Sequence, residues 1–343
     1  MNLKSFFRTT LVTLLVLALG VTVVLAGSES RRGTAGAQEL IIPVGSAGTA
    51  LSGAVNATTT GVEAIYWNPA GVARATGIEA MFTNVQYIAD IKLNYFAVAI
   101  PIADVGSLGL SIRTLNFGDI PVTTTESPDG TGSTYSPNYI TTGLTFSRAF
   151  TDRIHGGVTV KLINESIMRT SASGVGFDIG VQYISGATGL KLGVVLKNLG
   201  SQMTYDGPDL ENFNPIPGQE PGSRERAQRL PAEKFDLPAS LEIGLGYDIR
   251  FAENHNVTVA GNFMNANYGS DEYRLGAEYN MMNMVFLRAG YMRTQFQDDN
   301  IYGPTLGVGL KVALGPTTVL LDYAYRQTKY FNASNWFSLK LAM

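Results

Sequence analysis

The sequence predicts an all-β fold: a transmembrane antiparallel β-barrel of about fourteen strands with an N-terminal hatch or plug segment. Three observations carry that expectation. Charged side chains make up only 15% of the 343 residues, beside 38 glycines, 16 tyrosines and 16 phenylalanines. A soluble domain is roughly a quarter charged, so this chain is short of groups to face bulk water. After residue 26 no apolar run is long enough for a spanning helix, and only helices and closed barrels satisfy their backbone in lipid. Most of the remaining chain alternates with a two-residue period. A soluble sandwich alternates as well, but its outer faces would be far richer in charge.

The N-terminus carries processing signals. Lys4 and Arg8 form a basic region, Leu11 to Leu25 is an apolar run of signal-peptide length, and Val24-Leu25-Ala26 offers small residues to a signal peptidase. Ala35-Gly36-Ala37 is a second candidate, and a single membrane anchor is the competing reading, for which the run is short. The expected division is a signal peptide over 1–26, a hatch segment over 27–76 and a barrel over 77–343, placed in the bacterial outer membrane. With no cysteine in the chain, a lipoprotein anchor, a disulfide framework and a thiolate metal site are all excluded.

The stretch from Gly45 to Val72 is crowded with Gly, Ala, Ser and Thr and contains Trp67-Asn68-Pro69-Ala70-Gly71. So few large apolar groups cannot hold a core, and the segment must be housed inside the barrel. Alone, Asn-Pro would mark an ordinary surface turn. Inside a barrel, Pro69 fixes its own φ and biases Asn68 away from helix, leaving the Asn68 side chain to satisfy nearby backbone donors. Trp67, Asn68, Pro69, Ala70 and Gly71 are therefore the expected fixed turn and ligand gate.

Strands are expected to begin near Ile78, Leu93, Leu108, Tyr139, Ile154, Gly174, Leu190, Ser240, Asn256, Glu272, Val285, Thr305, Thr318 and Trp336. In Val175 to Tyr183 every odd position is apolar or aromatic, and Leu241 to Asp248 repeats the pattern. Alternation sends one set to lipid and the other to the lumen. Connections near Asp104, Asp152, Gly186, Glu253, Met282 and Pro316 are short, whereas the alternate set includes 117–137, 165–173, 200–236 and 295–303. Short turns on one side and long loops on the other match the periplasmic and extracellular asymmetry of such barrels. Tyr183, Tyr247, Tyr279, Tyr291, Tyr323 and Tyr325, near strand ends, are candidates for an aromatic girdle.

Parity places Arg113, Lys161, Asp178, Lys191, Glu242, Arg274, Glu278, Arg288, Lys311, Asp322 and Arg326 in the lumen. Both signs are mixed, which points to cross-strand ion pairs rather than a single-sign selectivity ring. Lys311 and Asp322, near-symmetric about Gly315-Pro316, are an expected pair. Ser at Gly244 or Gly307 is expected to be mild if the lumen there has space. Two histidines, His155 and His255, both near short turns, and no metal-spaced cluster or phosphate loop argue against an enzyme or a cofactor. A net charge of −3 implies no nucleic-acid partner, leaving outer-membrane lipid as the first partner.

The small-residue stretch Gly45 to Ala57 with Ala64-Ile65-Tyr66-Trp67-Asn68-Pro69-Ala70-Gly71 resembles the N-terminal hatch of FadL-like barrels. Gly45 to Ala50, Leu196-Lys197-Asn198-Leu199-Gly200 and Leu237-Pro238-Ala239-Ser240-Leu241 are more closely similar to the PorV/PorQ family. That resemblance implies a partner in type IX-like protein secretion, with a translocon and an exported protein cargo. The FadL-like side implies instead a channel for fatty acids or other hydrophobic small molecules passing the hatch.

Overall fold

The computed structural model describes residues 33–186, 188–214, 226–295 and 300–343. The expected signal peptide and residues 215–225 of the longest loop lie outside the described residues. Fourteen strands close into one barrel: β1 (Glu79–Gln86), β2 (Lys92–Ile102), β3 (Gly106–Asn116), β4 (Asn138–Ala149), β5 (Ile154–Ile167), β6 (Thr170–Ile184), β7 (Leu190–Gly200), β8 (Ser240–Ala252), β9 (His255–Ala266), β10 (Glu272–Met281), β11 (Val285–Thr294), β12 (Tyr302–Leu314), β13 (Thr317–Thr328) and β14 (Ser334–Ala342). Every neighbour is antiparallel, and β1 closes the ring by pairing with β2 on one side and β14 on the other. The chain is a closed, fourteen-stranded antiparallel β-barrel.

The period-two pattern fixes which face each side chain takes. Along β6, Phe177, Ile179 and Val181 are exposed while Asp178 and Gln182 are buried. Along β8, Leu241, Ile243, Leu245 and Tyr247 are exposed while Glu242 is only 2% exposed. Exposed apolar and buried charged residues invert the order of a soluble protein, as a barrel in lipid requires.

The hatch occupies the interior. Its helices α1 (Ser46–Ala50) and α2 (Ala64–Trp67) are single turns, joined by 3-10 turns at Gln38–Ile41, Gly61–Glu63 and Pro69–Arg74. Val44, Ala50, Val62, Ala64 and Val72 are fully buried and share one cluster with Val85, Leu93 and Ala97 of the wall. The hatch, short of large residues, thus completes the core of the barrel rather than making its own.

Three expectations need correction. The connection over 165–173 is no long loop: β5 and β6 run on to Ile167↔Thr170, because Ser171 also pairs with Asp206 and Asn164 bonds Ser173 across the hairpin. The lumen has no space beside Gly244 or Gly307. A Cβ on Gly244 would overlap the Asn56 side chain, and one on Gly307 would overlap Ala50, since hatch backbone lies against both strands. Finally, Lys311 does not pair with Asp322. The register sets Lys311 opposite Leu320 and Asp322 opposite Gly309, so Asp322 meets Arg288 of β11 while Lys311 stays exposed near the strand end.

Candidate channel and its plug

Residues 67–71 form one fixed unit. Pro69 opens a 3-10 turn, and Asn68, extended at φ −158 and ψ 108, caps it by accepting the Ala70 N–H at 3.1 Å through Oδ1. Its Nδ2 donates to the Asn56 carbonyl at 2.9 Å and to the Val181 carbonyl of β6 at 3.3 Å, so one side chain ties two hatch segments to the wall. Asn68 is 0% exposed. Two wall glycines make room for the turn: Gly157 lies against the Pro69 carbonyl and Gly180 against the Asn68 amide group. Trp67 stacks edge-on with Tyr66 at 4.8 Å, and Lys197 Nζ sits 4.0 Å from the centre of the Tyr66 ring. Ala70 and Gly71 are buried, Gly71 against the Thr59 carbonyl.

The lumen charges join across strands. Lys161 meets Asp178 at 2.7 Å and Lys191 meets Asp248 at 2.7 Å, while Arg274 meets Glu272 of its own strand at 2.7 Å and Glu242 of β8 at 3.6 Å. Arg288 bridges Glu278 at 2.6 Å and Asp322 at 2.5 Å. Lys161 also donates to Asn198 Oδ1, whose residue adopts a left-handed φ of 56 and takes its N–H to Asp178. Arg113 donates to the Glu39 main-chain carbonyl at 2.6 Å. Arg326 differs: Nε and Nη2 have no hydrogen-bond partner, and the guanidinium lies 4.1 Å from the Tyr302 ring centre and 4.9 Å from that of Trp336. Among the described residues no three His, Cys, Asp or Glu are grouped to hold a metal ion.

Two cavities flank this plug. An outer one of about 660 Å³, at the end of the barrel carrying the long loops, is lined by residues 33–39 with Phe117, Tyr139, Tyr205 and Phe235. An inner one of about 100 Å³ is lined by Tyr66, Trp67, Tyr268, Met264, Met292 and Arg326. Ile41, Tyr87 and Tyr302 line both and separate them. Tyr87 and Tyr302 meet through their hydroxyls at 3.1 Å.

Sequence reasoning missed Lys197, although parity on β7 could have found it, because Leu192, Val194 and Leu196 point outward. It also missed Glu39, Tyr87 and Tyr302. Glu39 and Tyr87 lie outside the regular strands and Tyr302 precedes the regular register of β12, so no periodicity marks them.

The fold has known counterparts. The monoaromatic hydrocarbon channel CymD is similar at 13% identity, covering 87% of this chain and 96% of that chain, with a TM-score of 0.53. The toluene transporter TodX of P. putida is similar at 14% identity, over 87% and 97%, with a TM-score of 0.55. A Pseudomonas aeruginosa FadL homologue is similar at 13% identity, over 88% and 98%, with a TM-score of 0.54. No curated protein matches.

These findings overturn the PorV/PorQ expectation and, with it, the secretion translocon and the protein cargo. The segments that carried it have local work in the barrel. Asn198 turns the end of β7 at the β6–β7 register shift, and its Nδ2 holds the Pro238 carbonyl just before β8. Such spacing follows from closing the wall over a long loop, not from a role in export. Residues 104–342 match the model of the Gram-negative porin family, a family of channels and not of enzymes, and the chain belongs to it.

Proposed function

We propose that this barrel is a channel for hydrophobic small molecules across the outer membrane, with residues 67–71 as its gate. The observation that carries the reading is the pair of aromatic cavities meeting at Ile41, Tyr87 and Tyr302, one open toward the long loops and one against Trp67. The outer cavity's largely apolar and aromatic lining suits a hydrophobic ligand better than a hydrated solute, while the inner one places Lys197, Glu242, Glu272, Arg274 and Arg326 beside its rings. The similarity to the hydrocarbon channels supports the fold on which this reading stands, and the substrate class rests on the cavities. The lumen ion pairs join wall residues to one another, and hydrogen bonds tie the hatch to that wall. The hatch, seated on glycines and held by hydrogen bonds, closes the path between them.

The test is flux. Purified protein in liposomes is expected to speed entry of toluene over protein-free vesicles, while glucose entry stays at the background rate. Deleting residues 45–72 should leave a barrel that inserts, because the strand ladder closes without the hatch, and should raise its conductance in planar bilayers. Toluene entry no faster than in empty vesicles would overturn the substrate class. A deleted barrel that inserts and conducts no more than the intact one would overturn the gate.

A further inference from the structure

The outer cavity holds an unbalanced pair of carboxylates that the channel reading does not use. Glu39 on the hatch and Glu165 on β5 line it and are each 3% exposed. When both groups are ionised, no side-chain donor reaches either carboxylate oxygen of Glu39 or Oε1 of Glu165, and only a proton shared between the two carboxyls joins them. Glu165 is held in place through Oε2, which accepts the Tyr205 hydroxyl, and Tyr205 in turn meets Tyr139 at 3.3 Å between hydroxyls. Among the described residues, none lining the cavity is a lysine or an arginine. Among the described residues the cation that acts on Glu39 is Arg113, which donates to the main-chain carbonyl of Glu39 and lies over the Tyr66 ring, beside a separate small cavity. Around the carboxylates stand two aromatic pairs, Phe117 with Tyr139 at 4.9 Å and Tyr205 with Phe235 at 5.7 Å.

Buried carboxylates without partners are costly, and nearby ring faces attract cations. We propose that this outer vestibule is a binding site for organic cations, an ammonium head on a hydrophobic body, seated between Glu39 and Glu165 against the rings of Phe117, Tyr139, Tyr205 and Phe235. A cavity of about 660 Å³ is the size of a small-molecule site. A divalent metal fits less well, since two carboxylates with no third acidic or histidine ligand among the described residues leave most of its coordination unfilled. Burial, and then the charge of Glu165, push the Glu39 carboxyl up to about 8; a backbone N–H and Arg113 oppose the rise, and the hydrogen bond with the Glu165 carboxyl adds to it. An arriving cation would therefore draw a proton off Glu39 and replace it. Arg326, behind Tyr302 in the inner cavity, opposes further passage, so the cation rests in the vestibule. This site goes beyond the channel reading and does not depend on it.

The experiment is calorimetric titration of the intact protein in a neutral detergent, against micelle blanks, with three water-soluble probes. These are benzyltrimethylammonium, neutral benzyl alcohol and anionic benzoate. Benzyltrimethylammonium is expected to bind at least about tenfold more tightly than either other probe, equivalent to about 1.4 kcal/mol. Its heat should vary with the buffer's protonation enthalpy, because binding releases a proton, and its affinity should rise from about pH 6 to about pH 9 as Glu39 ionises. The variant E39Q with E165Q should erase the tenfold preference. Equal binding of the three probes, no measurable cation binding, or a preference that survives the double variant would each overturn the site. Toluene flux in liposomes separates the two ideas: cation binding without flux leaves this site standing, and flux without cation preference removes it alone.

Discussion

Replacing Asn68 by Ala should loosen the hatch and leave the wall intact. The side chain is fully buried and makes three hydrogen bonds, to the Ala70 N–H and to the Asn56 and Val181 carbonyls. Their losses are unequal. Asn56 keeps a second donor, Gln182 Nε2 at 2.8 Å, and the bond to Val181 is long at 3.3 Å, so neither carbonyl suffers much. The Ala70 N–H has no substitute, and a buried donor left bare costs about 1–3 kcal/mol. Adding a few tenths for each carbonyl gives about 2–3 kcal/mol in all, or roughly a 30- to 150-fold rise in local opening. Hydrogen exchange read by mass spectrometry on protein in nanodiscs resolves this directly. Peptides covering 54–72 should exchange faster by that factor while those from β5 to β8 keep their protection. Unchanged exchange in the hatch would refute the capping role, and equal loss of protection across the strands would refute the idea that the wall closes independently of the turn. Gly180→Ala, which drives a methyl into the Asn68 amide group, should give the same local signature.

Leu245→Arg, at a position 52% exposed in the middle of β8, should cost up to about 2–4 kcal/mol when unfolding is followed in lipid. Gly244→Ser, its neighbour, should instead displace Asn56 and raise bilayer conductance with little effect on wall unfolding. Arg288→Met should destabilise the barrel by about 3–5 kcal/mol in denaturant titrations, because it strands Glu278 and Asp322 together in a mostly buried place; a loss under 1 kcal/mol would mean that water solvates both. Glu39 gives a pH signature. With its folded value near 8 and its ordinary value 4.5, the folded hatch holds a proton that the unfolded chain has lost. Its seating therefore weakens as pH rises from about 4.5 to about 8, then levels off. Hatch exchange, corrected for intrinsic rates, should show that slope in the wild type and lose it in Glu39→Gln; parallel slopes in the two proteins would count against it.

The wall was legible because its signal is local. A strand in lipid must alternate, and alternation in Val175 to Tyr183 or Leu241 to Asp248 assigns the face of every residue without knowledge of its neighbours. For the same reason all fourteen strands begin within four residues of the positions read from the sequence. Pairings were not legible. Lys311 and Asp322 look symmetric about Gly315-Pro316, yet the register places Asp322 beside Arg288, a partner from a different hairpin. Gly244 and Gly307 show the same limit. Their side-chain-free faces are occupied by Asn56 and Ala50, nearly 200 and more than 250 residues away in the chain, which alternation cannot report. The resemblance to PorV/PorQ rested on short segments such as 196–200 whose residues close the wall, a need shared by barrels of different roles. By itself the sequence determined the class, the facing and the presence of an interior plug, because those follow from solvent and backbone chemistry residue by residue. Only the tertiary structure decided which charges meet, where the cavities lie and which carboxylates stand unpaired, because each depends on side chains that strands and hatch bring together from distant parts of the chain.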